Sequence, residues 1–218
     1  MRVPFSMMMP VSDVVATIIE SPALISRGPT RACTMRFSYE ELSKIADWAA
    51  VAPGFGRDRT TIDTHIGPIL DRLAADERLA RAVSKDGGTS NYFAFYVYPA
   101  TRGFVYSHAN SDVRRVPCVA VQLSLLAPVG VFGESTFFEG ERFFASSNLE
   151  IEQVCDPASP PSWVAEAVIA ATHGASAYRF VGRHMIEQLL PPGIEVYEYC
   201  LSAKPWNRVF HAMFADTD

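Results

Sequence analysis

The sequence predicts an α+β fold, a single mixed or mainly antiparallel sheet with helices packed on one side. Three observations predict it. The stretch Val116 to Ser146, VPCVAVQLSLLAPVGVFGESTFFEGERFFAS, is apolar, β-branched and aromatic, and is cut into short pieces by Gly and Pro, as buried neighbouring strands are. Helix signals gather upstream of it, at 38–84, and again at 161–172. The order is helices, then strands, then another helix and more strands, which is not the regular alternation of a βαβ winding.

The N-terminal segment 1–37 stands apart as a strand or short helix plus a loop, and 38–218 reads as a single α+β domain with a possible sub-boundary near 155–161. In VSDVVATIIE (11–20), Ser12 suits a helix cap while Val14, Val15, Ile18 and Ile19 suit a strand. Arg27, Arg31 and Arg36 give the following loop a basic character. Ser38 and Glu41 then form a capping box, because the serine oxygen and the glutamate three residues on satisfy each other's free amides. Leu42, Ile45, Ala46 and Ala49 continue at helical spacing, which predicts a helix to about Val51. A second helical pattern runs from about 61 to 84 through Ile62, Ile66, Ile69, Leu70, Leu73, Leu79 and Val83. Gly67-Pro68 starts a new helix within it or kinks it.

Strands follow at Tyr92 to Tyr98, at Gly103 to Tyr106 and at Val119 to Leu126, the last apolar on both faces and so central. Gly130 to Phe138 and Arg142 to Ala145 form a hairpin through Glu139-Gly140-Glu141. Asn148 to Val154 alternates imperfectly and is expected as a half-exposed strand. After the break CDPASPP (155–161), Ser159 or Ser162 caps a helix that closes at His173-Gly174. Tyr178 to Val181 is expected as a strand, Met185 to Leu190 as a helical turn, and Val196 to Leu201 and Val209 to Phe214 as strands.

Composition bounds the function. With 49% apolar and 20% charged residues the chain can bury a sizeable core. Its formal charge of -5 argues against general nucleic-acid binding, which needs a basic stripe, and suits a basic protein partner as well as simple solubility. The 4 cysteines, Cys33, Cys118, Cys155 and Cys200, are far apart, so no close pair marks a zinc or redox motif and a reducing compartment is expected. Pro4, Pro10 and Asp13 interrupt any signal peptide, and no run reaches a membrane span. The expectation is a cytoplasmic protein that uses neither membrane nor cofactor nor metal.

Chemistry-bearing residues are scattered. His65, His108, His173, His184 and His211 show no metal spacing. His173 suits the C-terminal end of a helix dipole, and His211 a buried hydrogen bond. Gly133-Glu134-Ser135-Thr136 lacks the glycine pattern of a nucleophile elbow. What remains is the predicted hairpin tip, where Glu134, Glu139 and Glu141 lie beside Phe137, Phe138, Phe143 and Phe144. Aromatic anchors with an acidic rim are what a basic partner would meet, and Glu134, Phe137, Glu139 and Glu141 are the candidate partner-binding residues. Core packing of the phenylalanines is the competing explanation. No catalytic residue is assigned.

Two strings, VQLSLLAPVGVFGES and KPWNRVFHAMFADTD, resemble immunity proteins encoded beside bacterial polymorphic toxins. The resemblance covers the C-terminal half and carries no diagnostic motif. It implies a non-catalytic cytoplasmic antidote that binds and neutralises a cognate toxin, with a basic nuclease as one such toxin. The alternative is a small hydrolase or transferase that draws Glu134, His108 or His173 together with a tyrosine of the sheet.

Overall fold

The computed structural model describes residues 36–83, 90–101, 105–106, 114–140, 143–146, 149–197 and 204–215, all of which belong to one compact unit, Arg36–Asp218. The expectations for 1–35, for His108, for Cys33 and Cys200 and for Glu141 lie outside the described residues.

The first helix, α1 (Tyr39–Ala46), begins as its capping box dictates. Ser38 Oγ accepts from the Glu41 amide at 3.2 Å, and Glu41 Oε2 accepts from the Ser38 amide at 2.7 Å. It stops short of Val51 because Trp48 turns left-handed at φ 61°. The Trp48 amide donates to the Ile45 carbonyl at 3.0 Å and the Ala49 amide to the Lys44 carbonyl at 2.7 Å, which is a Schellman closure with tryptophan in the position glycine usually fills. The Arg57 guanidinium sits over the Trp48 ring, 5.6 Å from its centre.

A single turn, α2 (Arg59–Thr61), is capped by Asp58 and passes through a π-turn (Ile62–Ile66) into α3 (Gly67–Ala74), so Gly67-Pro68 does start a new helix. The helix expected to reach residue 84 ends ten residues early. Asp76 Oδ1 accepts from the Arg78 amide at 3.0 Å and folds the chain back as a turn. Leu79 and Val83 then lie in strand β1 (Leu79–Val83), paired antiparallel with β2 (Tyr92–Pro99). The rest of the sheet is β3 (Val105–Tyr106), β4 (Arg114–Ser124), β5 (Val129–Gly140), β6 (Phe143–Ser146) and β7 (Arg179–Phe180). Between β6 and β7 comes α4 (Trp163–Thr172), capped by Ser162, whose Oγ accepts from the Ala165 amide at 3.4 Å. The short helices α5 (Arg183–Ile186) and α6 (Val209–Met213) complete the chain.

The strands follow the path β1-β2-β4-β5-β6, with β3 beside β4 and β7 beside β5. Among the described residues all strand pairings are antiparallel except β5 with β7, so the sheet is mixed and mainly antiparallel, as the sequence predicts. Of the strand expected at Val196 to Leu201, the described residues Val196 and Tyr197 are not in a strand and the rest lie outside the described residues. Two further elements differ from expectation. In the stretch expected as a strand at Asn148 to Val154, the described residues 149–154 form a 3-10 turn at Ile151–Gln153, and among them Val154 bridges to the sheet at Gly133. Val209 to Phe214 is helical, because Arg208 and the His211 side chain close its first turn, with Nδ1 of His211 accepting from the Arg208 amide at 3.1 Å.

The two faces of the sheet bury different side chains. On one face Phe93, Phe95 and Val97 of β2, Val119, Val121 and Leu123 of β4 and Phe132 of β5 pack against Ile69 and Leu73 of α3 and Val164 and Val168 of α4. Helices α3 and α4 thus cover this face. The other face carries Phe137, whose ring lies 5.7 Å from Tyr96 and 5.2 Å from Tyr98, while Phe214 comes within 6.2 Å of Tyr92. Every residue from Tyr92 to Tyr98 is therefore buried. Among the described residues no helix is long and apolar enough to cross a membrane.

Candidate functional site

Helix cover on the first face does not extend to the whole sheet. The register places Val119 opposite Glu134, Pro117 opposite Thr136 and Arg115 opposite Phe138. Side chains alternate along a strand, so these six share the face that α3 and α4 cover further along. Val119 is the last of them inside the core. Beyond it Arg115, Pro117 and Glu134 are exposed, and Thr136 and Phe138 are half-buried. Among the described residues, the α3 and α4 cover does not reach this end of the sheet face.

The outer edge of β5 is patched by three separate segments. Val129 and Gly130 pair with β7, Gly133 bridges Val154 while the Cys155 amide donates to the Phe132 carbonyl at 2.9 Å, and Phe137–Gly140 pairs with β6. Glu134, Ser135 and Thr136 lie between the second and third of these segments. An open recess of about 450 Å³ forms there, lined by Arg115, Glu134, Ser135, Thr136, Phe138 and Gln153. This lies within the size range of ligand-binding clefts. The Gln153 amide oxygen is held in place by the Glu150 amide at 2.9 Å.

Electrostatics around the recess are simple. By the strand register, Arg115 and Glu134 stand four positions apart at the two ends of its β4–β5 lining, and among the described residues neither has an ion-pair partner. Cys155 sits beside Glu134. Burial raises the Cys155 thiol above its ordinary range; a backbone hydrogen bond with Glu134 opposes the rise and the Glu134 carboxylate adds to it. Cys118, on the opposite face, is pushed up to about 12 by burial, so at neutral pH it is a thiol and not a nucleophile.

The structure separates the residues that the sequence grouped. Glu134 lines the recess. Phe137 is wholly buried on the other face, between Tyr96 and Tyr98, so it is a core residue and not a contact anchor. The reason is the two-residue period of β5, which sends Phe137 one way and Glu134 and Phe138 the other. Glu139 lies in β5 opposite Arg114 on one side and Phe144 on the other, its side chain outside the described residues. Sequence reasoning missed Arg115 and Gln153, which reach the recess through strand register and through the 3-10 turn.

The constellation required for an enzyme of the Glu134/His173/tyrosine kind is also dispersed. Tyr96 and Tyr98 face Phe137 and are divided from Glu134 by the sheet. Tyr178, the buried tyrosine on the helix-covered face, donates its hydroxyl to the Ser124 carbonyl at 2.7 Å, and burial raises it above the usual phenol range. His173 closes α4, and its carbonyl accepts from Arg72 at 2.8 Å. His65 stacks on Phe55 with ring centres 4.5 Å apart. Burial, and then the Arg208 guanidinium, holds the His211 imidazole below its ordinary range, consistent with a neutral ring that accepts a hydrogen bond. No protein-family model, no curated protein and no solved structure matches the chain.

Proposed function

We propose that the chain is a non-catalytic cytoplasmic binding protein that captures a basic protein partner on the end of its sheet that α3 and α4 do not cover. With the resemblance to polymorphic-toxin immunity proteins, that partner is a cognate bacterial toxin, a nuclease being the case that best suits the charge. The observation that carries the reading is the run Glu134, Thr136 and Phe138, one acidic, one hydroxyl and one aromatic side chain, on a sheet face that α3 and α4 leave open. An aromatic side chain beside an exposed carboxylate supplies the two contacts that a basic surface uses most, apolar area and opposite charge. The formal charge of -5 supports the same reading by favouring encounter with a basic partner.

The test uses the protein encoded beside this chain in its genome. Calorimetric titration of that protein is expected to show tight binding to the wild type. Glu134→Lys is expected to weaken it by about tenfold or more, through loss of one charge contact and gain of a repulsive one. Unchanged affinity in this variant, with its melting temperature intact, would move the interface away from the recess. A neighbour that is not bound at all would remove the support for the toxin reading.

A further inference from the structure

Arg115 and Glu134 lie at opposite ends of one recess, and this limits what the recess can hold. A lone cation at Glu134 gains nothing from the Arg115 end, and a lone anion at Arg115 gains nothing from the Glu134 end. The register gives the span between them. Arg115 stands opposite Phe138, which is four residues along β5 from Glu134. At about 3.3 Å per residue the two backbone positions that carry the charges are roughly 13 Å apart along the strand. That is also the spacing of residues i and i+4 in a second extended chain, whose side chains at i, i+2 and i+4 share one face.

We infer that the recess takes an extended peptide segment of the partner carrying an acidic side chain at one position and a basic one four residues away. The acidic group meets the Arg115 guanidinium, whose planar fork matches a carboxylate. The basic group meets Glu134. The residue between them, at i+2, lies over Thr136 and is small or β-branched. The Phe138 ring, half-buried beside Arg115, gives the backbone of the segment an apolar floor, and Gln153 bounds the recess from the 3-10 turn. The inference rests on the binding-protein reading and adds to it a sequence pattern on the partner.

The probe is a dye-labelled, end-capped pentapeptide, Asp-Val-Thr-Val-Lys, followed by fluorescence anisotropy. It is expected to bind the wild type, with a several-fold loss when its aspartate becomes asparagine or its lysine becomes glutamine. Shortening the offset to Asp-Val-Lys is expected to cost as much, because one charge then falls short of its partner. Glu134→Lys is expected to reverse the preference, so that Asp-Val-Thr-Val-Glu binds about tenfold better than Asp-Val-Thr-Val-Lys. Both side chains are exposed, and a thermal melt confirms that the variant folds. Failure of the charged pentapeptide to bind better than its neutral versions overturns the inference, and so does a Glu134→Lys variant with the wild-type preference. If the whole partner still loses affinity for Glu134→Lys while all pentapeptides rank alike, the binding-protein reading stands and only the extended-segment geometry falls. If the partner is also indifferent to Glu134→Lys, both fall.

Discussion

Phe137→Ala is expected to lower the stability of the protein by about 3–5 kcal/mol, the loss typical of removing a buried aromatic ring from a core. Phe137 is fully buried, opposite Val116 and Ser146 in the sheet and in ring contact with Tyr96 and Tyr98, so no water and no partner reaches it. Urea unfolding checks this directly, since a change in midpoint without a change in slope reports stability alone. The variant also separates two roles for the hairpin phenylalanines. As a core residue, Phe137 should give a large stability loss and little specific loss of binding in the fraction that stays folded. A variant as stable as the wild type that no longer bound its partner would make Phe137 an exposed anchor, against the structure.

Gly133→Ala is expected to be almost as damaging. A Cβ at this position would sit 2.2 Å from the Gln153 carbonyl oxygen and 2.9 Å from Leu149 Cδ2. The first of these atoms is backbone, and the two residues that follow it in the chain hold it to the sheet. Val154 bridges to Gly133 itself, and the Cys155 amide donates to the Phe132 carbonyl at 2.9 Å. The segment 149–155 must therefore lift off β5 for the methyl group to fit, giving up those bonds and the burial of Leu149 and Val154. A loss of about 3 kcal/mol or more is expected, at the upper end of overpacking effects. The Cys155 amide should also exchange with solvent much faster than in the wild type. A variant within about 0.5 kcal/mol of the wild type would mean that the 3-10 turn is not anchored to the sheet, since only unconstrained surface sites tolerate change so well. Because Gln153 lines the recess, the same substitution should widen it.

Much of the fold was legible because local chemistry and tertiary position agree. Ser38 and Glu41 read as a capping box and form one, Ser162 caps α4, and the aromatic run from Tyr92 is a strand buried on both faces. The misread segments are those where one pattern serves two structures. Leu79 and Val83 continue the helical spacing of Leu73, and on spacing alone α3 would run on through them. The turn made by Asp76 overrides that spacing, and pairing with β2 then replaces the helix bonds. VFHAMF is apolar almost throughout, and in a segment this short periodicity cannot tell a buried strand from a buried helix. The choice falls to helix through the His211–Arg208 hydrogen bond, a contact that no propensity scale contains. Asn148 to Val154 alternates like a strand, yet its described part, 149–154, forms a 3-10 turn and bridges to the sheet at Gly133.

The candidate site was half legible for a related reason. Counting by twos along β5 places Glu134, Thr136 and Phe138 on one face and Phe137 on the other, so the sequence alone holds the signal that distinguishes anchor from core. Arg115 and Gln153 are a different matter. They lie 19 residues before and after Glu134 in the chain, and only the β4–β5 register and the position of the 3-10 turn bring them to it. The pairing that matters for charge, Arg115 at one end and Glu134 at the other, therefore belongs to topology and not to any local motif.

The most direct test of the account is carbodiimide labelling of carboxylates in the protein, alone and bound to the neighbour-encoded partner, read by mass spectrometry. Glu134, exposed in the free protein, is expected to become protected on binding, while Glu166, exposed on α4, keeps its labelling rate. Equal labelling of Glu134 in the free and bound states would contradict the account, because it would place the partner on some other surface of the molecule.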